Sequence, residues 1–524
     1  MEFAHNLIGV AKLLLLVIIA AKLFKFARRK LARAAVAIGL GAAQAIAPRR
    51  EKGPFDLSFP LLKLSPFDDF TVGNAVENLH VFGGNGSGKT SGPGRAFTMA
   101  YLRAGMGFLV MTAKPGEAEM ITRYAAEVGR AKDVIRFAPE ERYRFNFLAY
   151  LQKLPSRGGG ITSNIVSTLV TIQEALEKGN ETGTREQYWK DTLNQLLRNA
   201  VDLCLLARPH ENLSIERLHE VVTSAPISAA QVDDGGWQAG SLCYRLLDEA
   251  LQNEALTQRQ RSDLKLTGKY WLTEFACLPN DTRASIVSTF TSMVDGFLRG
   301  VFADLFVTSL NVVPEMTFNG AIIILDLPAK LFGKVGLAAQ AVWKHLWEDA
   351  VERRDFSKNR RPVCLLADEW HLFITDHDVA FATTSRSSGA CILALSQTLS
   401  NYSHALGGEQ KAKALTESFL GVCQTKVFCA NSDPKTNQFA AEVMAKSWQQ
   451  KFNSGVNHAD KGGRSSNSGA SESLEYNVQP AEFVTLRKGG MANNFLVDSI
   501  IHGGGRVFKA TGQTHIRTTF NQKA

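Results

Sequence analysis

Residues 83–90 read Gly83-Gly84-Asn85-Gly86-Ser87-Gly88-Lys89-Thr90, and the reading of this stretch decides the fold. It fits the phosphate-binding pattern G-x-x-x-x-G-K-[ST]. Ahead of it stands the β-prone run NLHVF (78–82), and behind it a helical pattern begins. That strand–loop–helix order is what the chemistry requires. Glycines let successive backbone N–H groups turn toward phosphate oxygens, and the following helix presents its positive end. Gly83, Gly84, Asn85, Gly86, Ser87, Gly88, Lys89, Thr90 and Ser91 are therefore expected to hold a nucleotide, ATP. Lys89 would reach its β- and γ-phosphates, and Thr90 would coordinate Mg²⁺.

Six further apolar runs extend outward from this strand, at 107–112, 133–137, 321–327, 362–367, 390–395 and 425–429. Several are continuous, such as AIIIL and VCLLA, with no polar alternation. Continuous runs suit strands buried on both faces, and alternation with helices points to an α/β fold with a mostly parallel sheet. The interval 158–300 differs. It holds long helical patterns such as QYWKDTLNQLLRNAVDLCLLA (187–207) and few strand signals, and is expected to be an all-α domain inserted into the nucleotide-binding domain. The expected division is an N-terminal anchor at 1–53, a first nucleotide-binding part at 54–157, the insertion at 158–300, and a second part at 301–524. Residues 454–473, rich in Gly, Ser and Asn, read as a mobile loop. A short β-rich return is expected from about residue 478. Tyr188, Trp189, Tyr270 and Trp271 read as core residues of the insertion.

Hydrolysis needs more than a phosphate cradle. The run at 362–367 ends in Asp368-Glu369, where a P-loop sheet places its second metal contact. Asp368 is expected to help hold Mg²⁺, and Glu369 to orient and deprotonate the attacking water. Gln397 ends the next apolar strand, ACILALSQ, and is expected to sense the γ-phosphate or align the water. Arg386, 17 residues after Glu369 and 11 before Gln397, is either an arginine finger for a neighbouring subunit or a salt-bridging surface residue.

The formal net charge is +9 over 524 residues, which suggests a nucleic-acid binder until the charge is located. Ten of the cations and only two of the acids lie in residues 1–53, so that segment carries +8 and the remainder is nearly neutral. The same segment contains the apolar stretch LIGVAKLLLLVIIAAKLF (7–24), long enough to span a bilayer, with Lys12 and Lys22 near its ends. The positive-inside rule places the basic block 22–33 in the cytoplasm, so a single span with the N-terminus outside is expected, and 31–47 would be an interfacial helix or a helix packed on protein. The charge then serves topology and attraction to anionic membrane lipids. Cys204, Cys243, Cys277, Cys364, Cys391, Cys423 and Cys429 show no C-x-x-C spacing and read as reduced core residues rather than a disulfide framework or zinc site.

With these pieces in order, the chain resembles the VirD4/TraG/TraD-type coupling proteins of type IV secretion and conjugation systems. The resemblance is carried by the N-terminal apolar segment, VFGGNGSGKTSG (81–92), FLVMTAKPGEAE (108–119), SIVSTFTSMVDGFLRGVFADL (285–305), GAIIILDLP (320–328), LLADEWHLF (365–373) and the Arg386–Gln397 unit. It implies a RecA-like P-loop ATPase with an inserted all-α domain that faces the cytoplasm. It further implies anchoring at the bacterial inner membrane, assembly as a homo-hexamer, and ATP-driven delivery of substrate to components of a type IV secretion channel. The substrate would be single-stranded DNA joined to a relaxase, or an effector protein. Three features depart from the family pattern. No clear second span or periplasmic loop is present. Thr112 and Ala113 stand where an acid often precedes the Lys114-Pro115-Gly116-Glu117 element, so no catalytic role is assigned to it. No long C-terminal extension for an adaptor is expected. Two rivals to the motor reading are a receptor that binds nucleotide only to switch shape and a double-stranded DNA pump of the FtsK/HerA type.

Overall fold

The computed structural model describes residues 53–154, 161–177, 185–406, 409–458 and 464–523, and at 185–189, 409, 411, 453–458 and 464–468 the backbone alone. The apolar segment 7–24 and the stretch 31–47 lie outside the described residues. Among the described residues, no helix is long and apolar enough to cross a membrane.

The six outlying apolar runs and the one before the P-loop all become strands of one sheet. They are β3 (Leu79–Phe82), β4 (Gly107–Met111), β5 (Val134–Phe137), β6 (Ile322–Leu325), β7 (Val363–Ala367), β8 (Ala390–Ser396) and β9 (Thr425–Phe428). Ahead of them β1 (Pro60–Lys63) and β2 (Asp69–Thr71) form a small separate pair. Near the C-terminus, β12 (Leu496–Gly503) and β13 (His515–Asn521) fold back as a hairpin and complete the large sheet. Its order is β13-β12-β9-β3-β8-β7-β4-β6-β5. The seven strands from β9 to β5 run parallel, and β12 joins β9 antiparallel. This topology explains the unbroken apolar runs. Leu79 and Val81, with Phe108, Val110, Cys364, Leu366, Leu393 and Leu395, face a core closed by helices Arg95–Arg103 and Glu117–Glu127. Phe82, Leu109, Met111, Leu365, Ala367, Ile392 and Ala394 face the opposite core. Both sets are buried, so no strand position needs a polar residue.

The opposite core is organised by the long helix Ala329–Arg353, which bends at Gly333 (φ 58°) and buries Trp343, Leu346 and Trp347. Between β5 and β6 the described elements are all helical apart from one isolated bridge, Phe145 to Leu310. That bridge lies at the neck of the excursion, where Phe145 N–H donates to the Leu305 carbonyl at 2.7 Å and Asn146 N–H to that of Ser309 at 2.8 Å. Helix Arg185–Ala207 buries Leu193, Leu196, Leu197, Ala200, Val201 and Cys204 at helical spacing. Tyr270 and Trp271 are buried there, while Tyr188 and Trp189 lie outside the described side chains.

Two expectations are corrected. The segment read as a mobile loop is instead a hairpin of two long strands, β10 (Lys446–His458) and β11 (Arg464–Tyr476), paired from Lys446↔Tyr476 to His458↔Arg464. Antiparallel pairing is made by backbone groups, so a Ser- and Asn-rich sequence can form it without burying apolar side chains. Cross-strand polar contacts assist, such as Lys451 Nζ to Glu475 Oε1 at 2.6 Å. The cysteines are all unpaired and six of them are buried, but Cys277 is exposed rather than in the core.

Candidate functional site

The carboxyl ends of β3, β7 and β8 converge, because β8 lies between the other two and pairs with both. Phe82 is level with Ser396 and Ala367 with Ala394. The loop after β3, the acids after β7 and Gln397 after β8 are thereby brought to one edge.

The loop 83–90 turns at Gly86 and Gly88, both at positive φ, and Gly88 has no room for a side chain. Gly88 has φ 83°, and a Cβ there would stand 2.6 Å from Val497 and 2.9 Å from the Lys488 carbonyl. The helix beyond opens with a wide turn, Thr90–Gly94, for a local reason. Pro93 has no N–H to give the Lys89 carbonyl, so Gly94 N–H takes it at 2.8 Å, one residue later than in an α-helix. Ser87 Oγ is buried without a protein partner. A buried hydroxyl left unpartnered in a phosphate-loop sequence fits a phosphate oxygen.

Thr90 Oγ1 donates to Asp368 Oδ2 at 2.7 Å, and Lys89 Nζ lies 3.3 Å from Asp368 Oδ1. A hydroxyl and a carboxylate side by side at a phosphate loop form the hard oxygen set that Mg²⁺ prefers. Glu369 is 3% exposed, with φ 54°, a left-handed conformation that costs a non-glycine residue about 1–3 kcal/mol. That turn aims its carboxylate inward. Glu369 Oε1 accepts from Lys114 Nζ at 2.6 Å and from Gln397 Nε2 at 2.8 Å, and lies 3.9 Å from Lys89 Nζ. Burial works to raise the Glu369 carboxyl, but the charge of Lys89 and the bonds from Lys114 and Gln397 outweigh it and hold the group below the usual carboxylate range. Glu369 is thus ionised at neutral pH, as a proton acceptor must be.

Lys114 and Glu117, left without a role above, belong to this edge. Lys114 follows β4, which pairs with β7 so that Met111 is level with Ala367. Buried Gln340 holds the strand end by accepting from Thr112 N–H at 2.8 Å and donating to the carbonyls of Thr112 and Leu327. Glu117 Oε2 accepts from the N–H groups of Ala113 (2.7 Å) and Lys114 (3.2 Å) and fixes the turn between them. Burial, helped by the nearby Asp368, pushes the Glu117 carboxyl up to about 7 against those two bonds. The signal available in the sequence was the Lys–Gly–Glu spacing at the end of a buried strand.

Arg386 lies elsewhere. It precedes β8, whose seven residues separate it from Gln397 by about 20 Å of strand. It is 63% exposed, and its guanidinium stands 3.2 Å from Glu77 Oε1 at the amino end of β3.

No protein-family model matches the chain, and no curated protein matches it. Solved structures do. The chain is similar to the bacterial conjugative coupling protein TrwB in its unbound form, with TM-score 0.56 and 13% identity over 87% of this chain and 88% of that one. Against plasmid coupling protein TrwB in complex with a non-hydrolysable GTP analogue the TM-score is 0.57, with 14% identity over 92% of each chain. Against TrwB in complex with ADP and Mg²⁺ it is 0.56, with 14% identity over 87% of each. At such identity the likeness shows a shared fold, the RecA-like α/β architecture with its mostly parallel sheet.

Proposed function

We propose that this chain is an ATP-hydrolysing coupling protein that passes substrate, single-stranded DNA joined to a relaxase, into a type IV secretion or conjugation channel. The observation that carries the proposal is Glu369, a buried ionised carboxylate fixed by Lys114 and Gln397 beside the Thr90–Asp368 contact. A protein that bound nucleotide only to change shape would not need a positioned base. The coupling role is supported by the fold shared with TrwB across most of both chains, and by the motifs quoted above, in order.

In the proposed reaction the backbone N–H groups of 84–90 and Lys89 bind the phosphates. Thr90 and Asp368 would hold Mg²⁺, which supplies neutralising charge on the phosphate oxygens. Glu369 takes the proton of the attacking water. Gln397, hydrogen-bonded to the same Oε1, aligns that carboxylate and reads the state of the γ-phosphate side. Lys114 is a positioning residue, holding Glu369 ionised and in place. Chemistry of this kind is chiefly placement and charge stabilisation. Arg386 cannot serve its own subunit's nucleotide from the far end of β8. Assembly as a homo-hexamer would bring it to a neighbour's site as an arginine finger. The helical region 158–300 would act as a substrate-receiving domain facing the cytoplasm, and residues 1–53 as an inner-membrane anchor whose basic residues meet anionic lipids.

The test is ATP turnover by the whole chain, alone and with single-stranded or duplex DNA. Stimulation by single strands above duplex, lost in Glu369→Gln, is expected. Turnover indifferent to DNA would remove the transport reading, and turnover intact in Glu369→Gln would remove the base. For the trans finger, subunits carrying Arg386→Ala are mixed with subunits carrying Lys89→Ala. Recovery of activity in the mixture is expected, since some interfaces then pair an intact loop with an intact arginine. No recovery would place Arg386 outside the reaction.

A further inference from the structure

Away from the nucleotide edge, two imidazoles and a carboxylate meet between helix Ala329–Arg353 and helix Asp376–Thr384. His345 and Asp349 stand one turn apart on the long helix and share a face, and His377 reaches them from the shorter one. One donor atom from each lies within 4.8 Å of the others. The His345 and His377 rings are 4.4 Å apart between centroids, edge to face.

The hydrogen bonding is uneven. His377 Nδ1 is 2.7 Å from Glu348 Oε2, while its Nε2 faces Asp349 Oδ1 at 3.4 Å. Glu348 is fully buried, and its other carboxylate oxygen, Oε1, has no hydrogen-bond partner. His345 is 7% exposed, its Nδ1 has no partner, and its Nε2 comes no nearer than 3.9 Å to Asp349 Oδ2, too far for a hydrogen bond. On the outer side Arg353 approaches Asp349 Oδ2 at 3.7 Å. A purely structural His–carboxylate network would be expected to pair both imidazoles. Here His377 is held at both nitrogens, more closely at the one remote from the cluster, while His345 is buried with Nδ1 unpartnered and Nε2 facing the shared carboxylate beyond hydrogen-bonding reach.

The geometry points to a divalent transition-metal site, with His345 Nε2, His377 Nε2 and the Asp349 carboxylate as ligands and Glu348 orienting His377. Two imidazoles and one carboxylate select a borderline ion such as zinc over Mg²⁺ or Ca²⁺. The Glu348–His377 contact is the arrangement that ordinarily fixes a ligating histidine through its other nitrogen. Metal–nitrogen bonds of about 2.0–2.1 Å would draw the donors slightly together, within reach of side-chain rotation. The helix that carries His377 links the Glu369 turn to Arg386, so an ion here fastens that link to the long core helix without touching the nucleotide edge.

The test uses the whole chain, stripped with chelator and titrated separately with Zn²⁺ and Co²⁺. One equivalent of either ion, a visible Co²⁺ absorption band and a raised Tm are expected. Asp349→Asn and His377→Gln should each lose the band while retaining the wild-type circular dichroism. The isosteric Glu348→Gln should keep it with affinity about 10–100-fold weaker. His210→Ala, at an exposed histidine elsewhere, should bind as wild type does. Folded wild-type protein that takes up no metal would overturn the site, and so would uptake unchanged in Asp349→Asn and His377→Gln.

Discussion

The two ends of β3, β7 and β8 carry charges of opposite design. At the carboxyl ends Lys89, Asp368 and Glu369 are all but buried, with both carboxylates within 4 Å of the Lys89 ammonium, and they are tied to Thr90, Lys114 and Gln397. At the amino ends Glu77 is paired with Arg386, whose side chain stands largely in water. Buried charges are expensive to hold unless paired and hydrogen-bonded, as these are, whereas an exposed pair contributes little to its own subunit. The contrast separates a cluster of charges whose partners all lie in one chain from a residue whose use is outward. Each variant below tests one side of that contrast.

Lys89→Ala should have the largest effect. It removes the proposed phosphate ligand and leaves Asp368 and Glu369 without their buried counter-charge. Titration calorimetry should show nucleotide affinity down by at least about 100-fold, the scale of losing one partner of a buried charge contact. Binding within a few-fold of wild type would mean the carboxyl ends do not form a phosphate site. Glu369→Gln should separate binding from chemistry, with affinity retained and turnover down by about 10²–10⁴.

Lys114→Met reports on positioning. Burial tends to raise the Glu369 carboxyl, and removing the Lys114 charge and bond withdraws part of what holds it down. The acid limb of the turnover profile should therefore move to higher pH, with turnover at neutral pH lower by on the order of tenfold to a hundredfold. A loss of turnover with an unmoved pH limb would make Lys114 merely structural.

The same contrast governs what was legible in the sequence. The parallel strands were plainest where burial on both faces leaves an unbroken apolar run, as in IIIL of β6 and VCLLA of β7, whereas β3, β5 and β9 carry His80, Arg136 and Lys426 within β-prone runs. The Thr90–Asp368–Glu369 grouping was visible because a phosphate loop and a strand-terminal acid pair have fixed places in such a sheet. Lys114 was set aside because no acid precedes its element, yet its role comes from β4 lying beside β7, which no local pattern encodes. The β10–β11 hairpin was invisible because its pairing is made by backbone groups beneath Ser and Asn side chains. The His345–Asp349–His377 cluster joins residues 32 positions apart, and only the packing of two helices unites them.

Glu117→Gln probes the rim of the buried site through stability. The folded carboxyl titrates near 7, against about 4.5 ordinarily, so the native chain holds the proton more tightly than the unfolded one. That stabilisation is complete below about pH 4.5 and is lost as pH rises through about 7. A glutamine can still accept from Ala113 and Lys114 N–H. Relative to the variant, wild type should lose about 1–3 kcal/mol between roughly pH 5 and 8 in denaturant melts. Parallel curves for the two proteins would show that Glu117 is not held protonated.

Arg386→Ala should have the smallest effect on the single subunit, and that smallness is its value. The ion pair with Glu77 is a single contact whose arginine is largely exposed, so its removal should change unfolding free energy by about 1 kcal/mol or less. Nucleotide affinity should be unchanged, because no part of the side chain is near the carboxyl ends of the strands. A large stability loss would make the amino ends a structural clasp and erase the contrast with the nucleotide edge. Unchanged stability and affinity combined with lost turnover in the assembled protein would sharpen it, since a residue idle in its own chain can matter to catalysis only through a neighbour's site.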